Sequence, residues 1–81
     1  MRVLLFGVTR DIVKCSSIDL NAQIAAGIQT VGDLKKHLSM EYPKLAELTS
    51  LAVAVNQQYA EENHPLGNKD EIALIPPVSG G

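Results

Sequence analysis

Residues 30–42, TVGDLKKHLSMEY, decide the fold because they form the clearest amphipathic helix of the sequence. Thr30 is a favourable helix N-cap, and Asp33 stands at N3, where its carboxylate can return a hydrogen bond to the cap. Apolar or aromatic residues at positions 31, 34, 38 and 42 follow at helical spacing, and Pro43 ends the helix. The sequence therefore predicts a helix over residues 30–42 with one stripe facing a core.

Segments with strand character lie on both sides of this helix. Residues 2–8 are almost wholly apolar, which is typical of an interior strand, and residues 16–24 alternate in hydrophobicity. These two segments are predicted to pair in antiparallel fashion. Further predictions are helical turns at residues 11–14 and 44–49, strands at residues 51–56, 59–61 and 71–75, and a turn at residues 56–58.

A single helix can cover only one face of one sheet. The order β-β-α-β-(β)-β therefore predicts an α+β protein, a roll of the β-grasp kind with a mixed sheet of four to five strands and one main helix. We expect two parts, a domain over residues 1–75 and an extended C-terminal tail over residues 76–81.

Composition excludes several classes of protein. The 81 residues are 46% hydrophobic and 20% charged, as in ordinary globular domains. Seven scattered basic residues and a net charge of −2 do not form the basic stripe that nucleic acids require, and no apolar run is long enough to cross a membrane. The lone Cys15 is expected to be a half-buried thiol in a cytoplasmic protein. The two histidines lie far apart in the sequence with no carboxylate at ligand spacing, so no metal site is predicted.

The last predicted strand runs directly into the tail, PPVSGG. Two prolines favour an extended backbone, and six residues reach roughly 20 Å. Gly80 and Gly81 carry no side chains, so this end fits a narrow channel. ATP can activate a terminal carboxylate as an acyl-adenylate, and a sulfur nucleophile can then form a thiocarboxylate. We therefore expect no catalytic side chain and assign the chemistry to Gly81; the alternative is a disordered glycine-rich end.

Several stretches together resemble one protein family. They are RVLLF at residues 2–6, TVGDL at 30–34, VNQ at 55–57, HPL at 64–66 and DEIALIPPVSGG at 70–81. The chain resembles the small, sulfur-carrier subunits of molybdopterin synthase. Lys69 stands where that family commonly has glycine, which is expected to alter a turn and not the chemistry.

The resemblance implies a ubiquitin-like β-grasp fold and a pathway. An adenylating enzyme uses ATP to activate Gly81, a sulfur donor converts it to a thiocarboxylate, and the tail enters the large synthase subunit. There it gives sulfur to a pterin precursor in molybdenum cofactor biosynthesis, within a heterotetramer of two small and two large subunits. The threading residues would be Pro77, Val78, Ser79 and Gly80, and no cofactor would be permanently bound. Alternatives are a carrier for thiamin or tRNA thiolation, a ubiquitin-like protein modifier, or a pure interaction domain.

Strand parity also indicates a partner-binding face. Phe6 and Ile75 share parity with charged residues of their strands, which places them on the sheet face opposite the helix. Exposed apolar patches on small proteins often mark contact surfaces. By resemblance, this face with Arg10 and Tyr59 docks on the activating enzyme and the large subunit. The alternatives are that Phe6 and Ile75 belong to the core and that Arg10 is merely solvated.

Overall fold

The five strands and the main helix follow the predicted order along the chain. The computed structural model describes residues 1–48 and 51–76. Its elements are β1 (Arg2–Leu5), α1 (Val8–Val13), β2 (Ser17–Asp19), α2 (Ala22–Ala25), α3 (Val31–Glu41), α4 (Pro43–Ala46), β3 (Ala52–Val55), β4 (Gln58–Ala60) and β5 (Ile72–Ile75). The α+β β-grasp roll with one main helix is thus confirmed.

The sheet is mixed and has five strands in the order β2-β1-β5-β3-β4. Strands β1 and β5 are parallel, whereas β1–β2, β3–β5 and β3–β4 are antiparallel. The predicted pairing of the first two strands is therefore confirmed, and β1 is an interior strand. The last strand, β5, occupies the centre of the sheet, so the C-terminal end of the chain leaves from the middle and not from an edge.

Helix α3 begins with the predicted reciprocal cap. The Thr30 hydroxyl accepts a hydrogen bond from the Asp33 amide at 3.2 Å, and the Asp33 carboxylate accepts from the amides of Thr30 at 3.2 Å and Gln29 at 3.1 Å. These bonds satisfy amides that no helical carbonyl can reach. The apolar stripe of the helix, Val31, Leu34 and Leu38, is at most 1% exposed.

That stripe packs against one face of the sheet. Alternate residues of the three inner strands point toward it and are almost fully buried: Val3, Leu5, Val53, Val55, Ile72 and Leu74. Leu20 and Ile28 from the connecting segments and Leu45 from α4 complete the core. The prediction that Ile72 and Leu74 share the inner face is confirmed.

The first predicted strand was too long. It ends at Leu5 instead of residue 8, and the helical turn predicted at residues 11–14 is part of helix α1, which already begins at Val8. The cause is Gly7, whose φ of +57° turns the backbone out of the strand direction. A continuous apolar run cannot reveal this break, because Phe6 and Val8 are as apolar as the strand before them.

The second predicted strand was also too long. Only Ser17–Asp19 forms β2, and residues 22–25 form the short helix α2. The Asn21 side chain accepts a hydrogen bond from the Ile24 amide at 2.9 Å and so caps this helix. The main helix and the last three strands differ from prediction by one residue at an end. The helical turn predicted at residues 44–49 is α4, which begins one residue earlier and ends at Ala46; residue 49 lies outside the described residues.

The prediction for Cys15 was wrong in its burial. The thiol is exposed because Cys15 lies in the bend between α1 and β2. None of the helices within residues 1–48 and 51–76 is long and apolar enough to span a bilayer.

Candidate functional site

A row of register partners crosses the sheet on the face opposite α3. Leu4 pairs with Ala73, Ala73 with Ala54, and Ala54 with Tyr59, so the row runs through β1, β5, β3 and β4. The methyl side chains of the two alanines in the middle of the row are shorter than the leucine and tyrosine side chains at its ends. The face is therefore concave along this row.

This concavity is a groove of about 280 Å³, hereafter the sheet groove. Its lining residues come from four strands and the turns beside them: Leu4, Phe6, Ala54, Gln57, Tyr59, Glu71, Ala73 and Ile75. Phe6 is 49% and Tyr59 75% exposed. Large apolar groups left in water around a concave surface are typical of a contact site.

The structure brings together three of the four predicted partner-binding residues. Phe6, Tyr59 and Ile75 all line the sheet groove, so the alternative that Phe6 belongs to the core is wrong. Arg10 is exposed on α1 and is not among the lining residues. Binding of a partner by any of the four stays a prediction.

Sequence reasoning missed Ala54 as a groove residue. Strand parity places Leu4 and Ala73 on the same side as Phe6 and Ile75, but Ala54 enters only through the antiparallel register of β3 with β5. The alternation in β3 marks which residues face the core, and it does not say which strand lies beside them.

A tight hairpin sets the position of Tyr59. Asn56 and Gln57 both have positive φ, at +52° and +70°, between β3 and β4. Positive φ at both central positions is the geometry of a type I′ turn, whose twist matches that of the paired strands. The predicted turn is confirmed, and it fixes the register that brings Tyr59 beside Ala54.

A hydrogen-bond network holds the start of β5. The Asp70 carboxylate accepts from the Gly67 amide at 2.8 Å and from the Asn56 side-chain amide at 3.0 Å, while Asn56 Oδ1 accepts from the Glu71 amide at 3.0 Å. The bond from the Gly67 backbone, followed by that from Asn56, lowers the pKa of Asp70 because both stabilise the charged form. Lys69 is not among the residues with positive φ, so a lysine fits this turn.

The root of the tail is the only part of it that the structure describes. Pro76 is half-buried beside Gly7. The predicted acting residue Gly81 and the predicted threading residues Pro77, Val78, Ser79 and Gly80 lie outside the described residues. Their roles stay predictions.

Side chains suited to metal binding or acid–base catalysis are scattered over the surface. Within residues 1–48 and 51–76, no group of three or more histidine, cysteine, aspartate or glutamate side chains could hold a metal ion. Among the residues that the structure describes, the sheet groove is therefore the surface that gathers the predicted partner-binding side chains.

Comparison with known proteins gives consistent matches over the whole chain. A family model described as the ThiS family matches residues 3–81. The chain is 34% identical to the molybdopterin synthase sulfur carrier subunit of Escherichia coli (strain K12), over 100% of this chain and 99% of that protein.

Two solved structures share the fold. SAMP1 from Haloferax volcanii is 26% identical with a TM-score of 0.72, over 99% of this chain and 97% of that one. The second is the protein–protein complex of subunits 1 and 2 of molybdopterin-converting factor from Helicobacter pylori 26695. The matching chain is 29% identical with a TM-score of 0.63, over 99% of this chain and 96% of that one.

Proposed function

The chain belongs to the ThiS family, and from that membership we propose that it is the sulfur-carrier subunit of a molybdopterin synthase. The family resemblance drawn from the sequence is thereby confirmed. The observation that carries the proposal is the end-to-end identity of 34% with a protein of that name. The position of β5 supports it, because a strand at the centre of the sheet is a firm base for a tail that other proteins must handle.

In the proposed reaction, the Gly81 carboxylate is the group that changes. One carboxylate oxygen attacks the α-phosphate of ATP on an adenylating enzyme, and pyrophosphate leaves. Hydrosulfide released by the sulfur donor then attacks the acyl carbon, and AMP leaves with the oxygen that had attacked ATP. The resulting thiocarboxylate delivers its sulfur to a pterin precursor on the large subunit. ATP is bound by the activating enzyme, and this chain needs no permanently bound cofactor.

The sheet groove is the proposed docking surface for both protein partners. Phe6, Tyr59 and Ile75 offer apolar area that a partner can remove from water. The similar Helicobacter pylori chain is described as part of a complex of subunits 1 and 2 of molybdopterin-converting factor. We propose an equivalent contact here, in a heterotetramer of two small and two large subunits, with Arg10 on α1 as a contact outside the groove.

We propose the cytoplasm as the compartment. Activation consumes ATP, and the exposed thiol of Cys15 suits a reducing environment.

Mass spectrometry tests the proposal. The intact chain is incubated with ATP, a sulfur donor and the adenylating enzyme of the same organism that activates carriers of this family. We expect a gain of about 16 Da, because one oxygen of the Gly81 carboxylate is replaced by sulfur. A chain shortened by Gly81 and a chain with one extra residue after it are the controls. An unchanged mass for the intact chain, with an enzyme that is active on another carrier, would refute the proposal.

A second candidate function is that of a protein modifier. The likeness to SAMP1, a small archaeal modifier protein, favours it, because a modifier would use the same activated Gly81 to acylate a lysine amine. Conjugates of this chain on a denaturing gel, lost on deletion of Gly81, would support it. Carriers for thiamin or tRNA thiolation share the tail chemistry and are separated by which acceptor gains sulfur.

A further inference from the structure

The turn that ends β1 is closed by a buried hydroxyl. Thr9 is fully buried, and its hydroxyl donates to the Phe6 carbonyl and accepts from the Phe6 amide at 3.0 Å. The Thr9 amide also donates to the Phe6 carbonyl at 3.2 Å. Both backbone polar groups of Phe6 are therefore satisfied inside the turn. The parallel pairing of β1 with β5 stops one residue earlier, at Leu5 and Leu74.

Gly7 is the residue of this turn that faces the tail. Its φ of +57° and ψ of −133° match the first central position of a type II′ turn, which strongly favours glycine. Extending the register of Leu5 with Leu74 by two residues places Gly7 opposite Pro76. A Cβ on Gly7 would lie 2.9 Å from Pro76 Cγ, closer than carbon atoms approach without repulsion.

The proline ring thus fills space that any other residue at position 7 would occupy. Proline also has no amide hydrogen, so Pro76 needs no hydrogen-bond acceptor from β1. The nearest candidate, the Phe6 carbonyl, already accepts hydrogen bonds from the hydroxyl and the amide of Thr9. On the other side β5 stays paired as far as Ile75 with Ala52. Pro76 is therefore the first residue after β5, and its ring lies beside Gly7 at the end of β1.

We propose that the turn at residues 6–9 is a seat for Pro76, which fixes the direction in which the C-terminal tail leaves the sheet. Gly7, Thr9 and Pro76 are then positioning residues for the delivery of Gly81, an inference that rests on the proposed function. A tail whose root is already ordered loses less conformational entropy when it enters a partner. Ordering the backbone of one residue corresponds to a factor of about ten in binding.

The seat is tested with Pro76→Ala, which removes the ring atom facing Gly7, and with Gly7→Ala, which adds the repelling methyl. Gly27→Ala is the matched control, because its φ is not positive and its Cβ would have its nearest neighbour at 3.6 Å. In the adenylation assay we expect KM for Pro76→Ala to rise about tenfold with kcat unchanged, since the entropic cost falls on the binding step. Circular dichroism checks that every variant is folded.

The double variant Gly7→Ala/Pro76→Ala separates a specific contact from general damage. If the methyl group at position 7 acts by steric repulsion of the proline ring, removing the ring removes that repulsion. The effects of Gly7→Ala and Pro76→Ala on the melting temperature and on KM are then not additive. Additive effects, or a KM for Pro76→Ala equal to that of the control, would overturn the seat.

An NMR measurement decides the same question without any enzyme. The amide order parameter of Val78 should fall in Pro76→Ala and stay at its wild-type value in Gly27→Ala. Equal order parameters in both would overturn the seat. If the wild-type chain gains no sulfur but Val78 responds as expected, the proposed function fails while the seat stands.

Discussion

Replacing Phe6 by glutamate should weaken partner binding while the domain stays folded. Phe6 is 49% exposed, and full burial of a phenylalanine side chain is worth about 1.5–3 kcal/mol, so roughly 1 kcal/mol remains for a partner to gain. An unpaired carboxylate held in an apolar contact costs about 1–3 kcal/mol more. The dissociation constant should therefore rise at least about tenfold, since 1.4 kcal/mol is a factor of ten.

The measurement is titration calorimetry of the chain against its large subunit. Phe6→Ala should show the apolar part alone, about a fivefold loss. Met40→Glu is the matched control, because Met40 is a 74% exposed apolar residue of α3 outside the sheet groove. Thermal unfolding is followed in parallel. The assignment of the groove is refuted if Phe6→Glu binds as tightly as Met40→Glu, or if it unfolds the isolated domain.

Three further predictions concern stability. Thr30→Ala should lower the melting temperature by about 4–8 °C in a calorimetric scan, because loss of an N-cap costs about 1 kcal/mol. An unchanged melting temperature would show that the cap does not stabilise the helix. Leu34→Ala should cost about 2–5 kcal/mol in urea unfolding, because Leu34 is fully buried between α3 and the sheet, and a loss below 1 kcal/mol would contradict that packing. Asp70 has a pKa below its ordinary 3.8 in the folded chain, so it stabilises the fold above that pH and ceases to do so as pH falls through the lowered value. The difference in melting temperature between wild type and Asp70→Asn should accordingly shrink as pH is lowered from 7 to 3, and a constant difference would speak against it.

The helix that covers the sheet could be predicted closely because its determinants are local. The cap formed by Thr30 and Asp33 spans four residues, and the apolar stripe repeats within the same helix. The failures at residues 6–8 and 22–24 have an equally local cause. Strand periodicity could not show that Gly7 would take a positive φ, nor that Asn21 would cap a helix.

The candidate site could likewise be predicted only in part from the sequence. Parity along each strand was enough to place Phe6 and Ile75 away from the core, because side chains alternate across any strand. Tyr59 reaches them only because β4 pairs with β3 and β3 with β5. Arg10 was expected beside these residues, but α1 carries it outside the sheet groove.

The amino-acid sequence by itself determined the main helix, the inner faces of β1, β3 and β5 and a final pair of residues without side chains, because capping, periodicity and glycine act over a few neighbouring residues. Only the tertiary structure decided that the last strand lies at the centre of the sheet, that two alanines meet to form a groove, and that Gly7 faces Pro76. Those features depend on which distant strands pair and in what register, and the energy that selects them comes from burying the whole core at once.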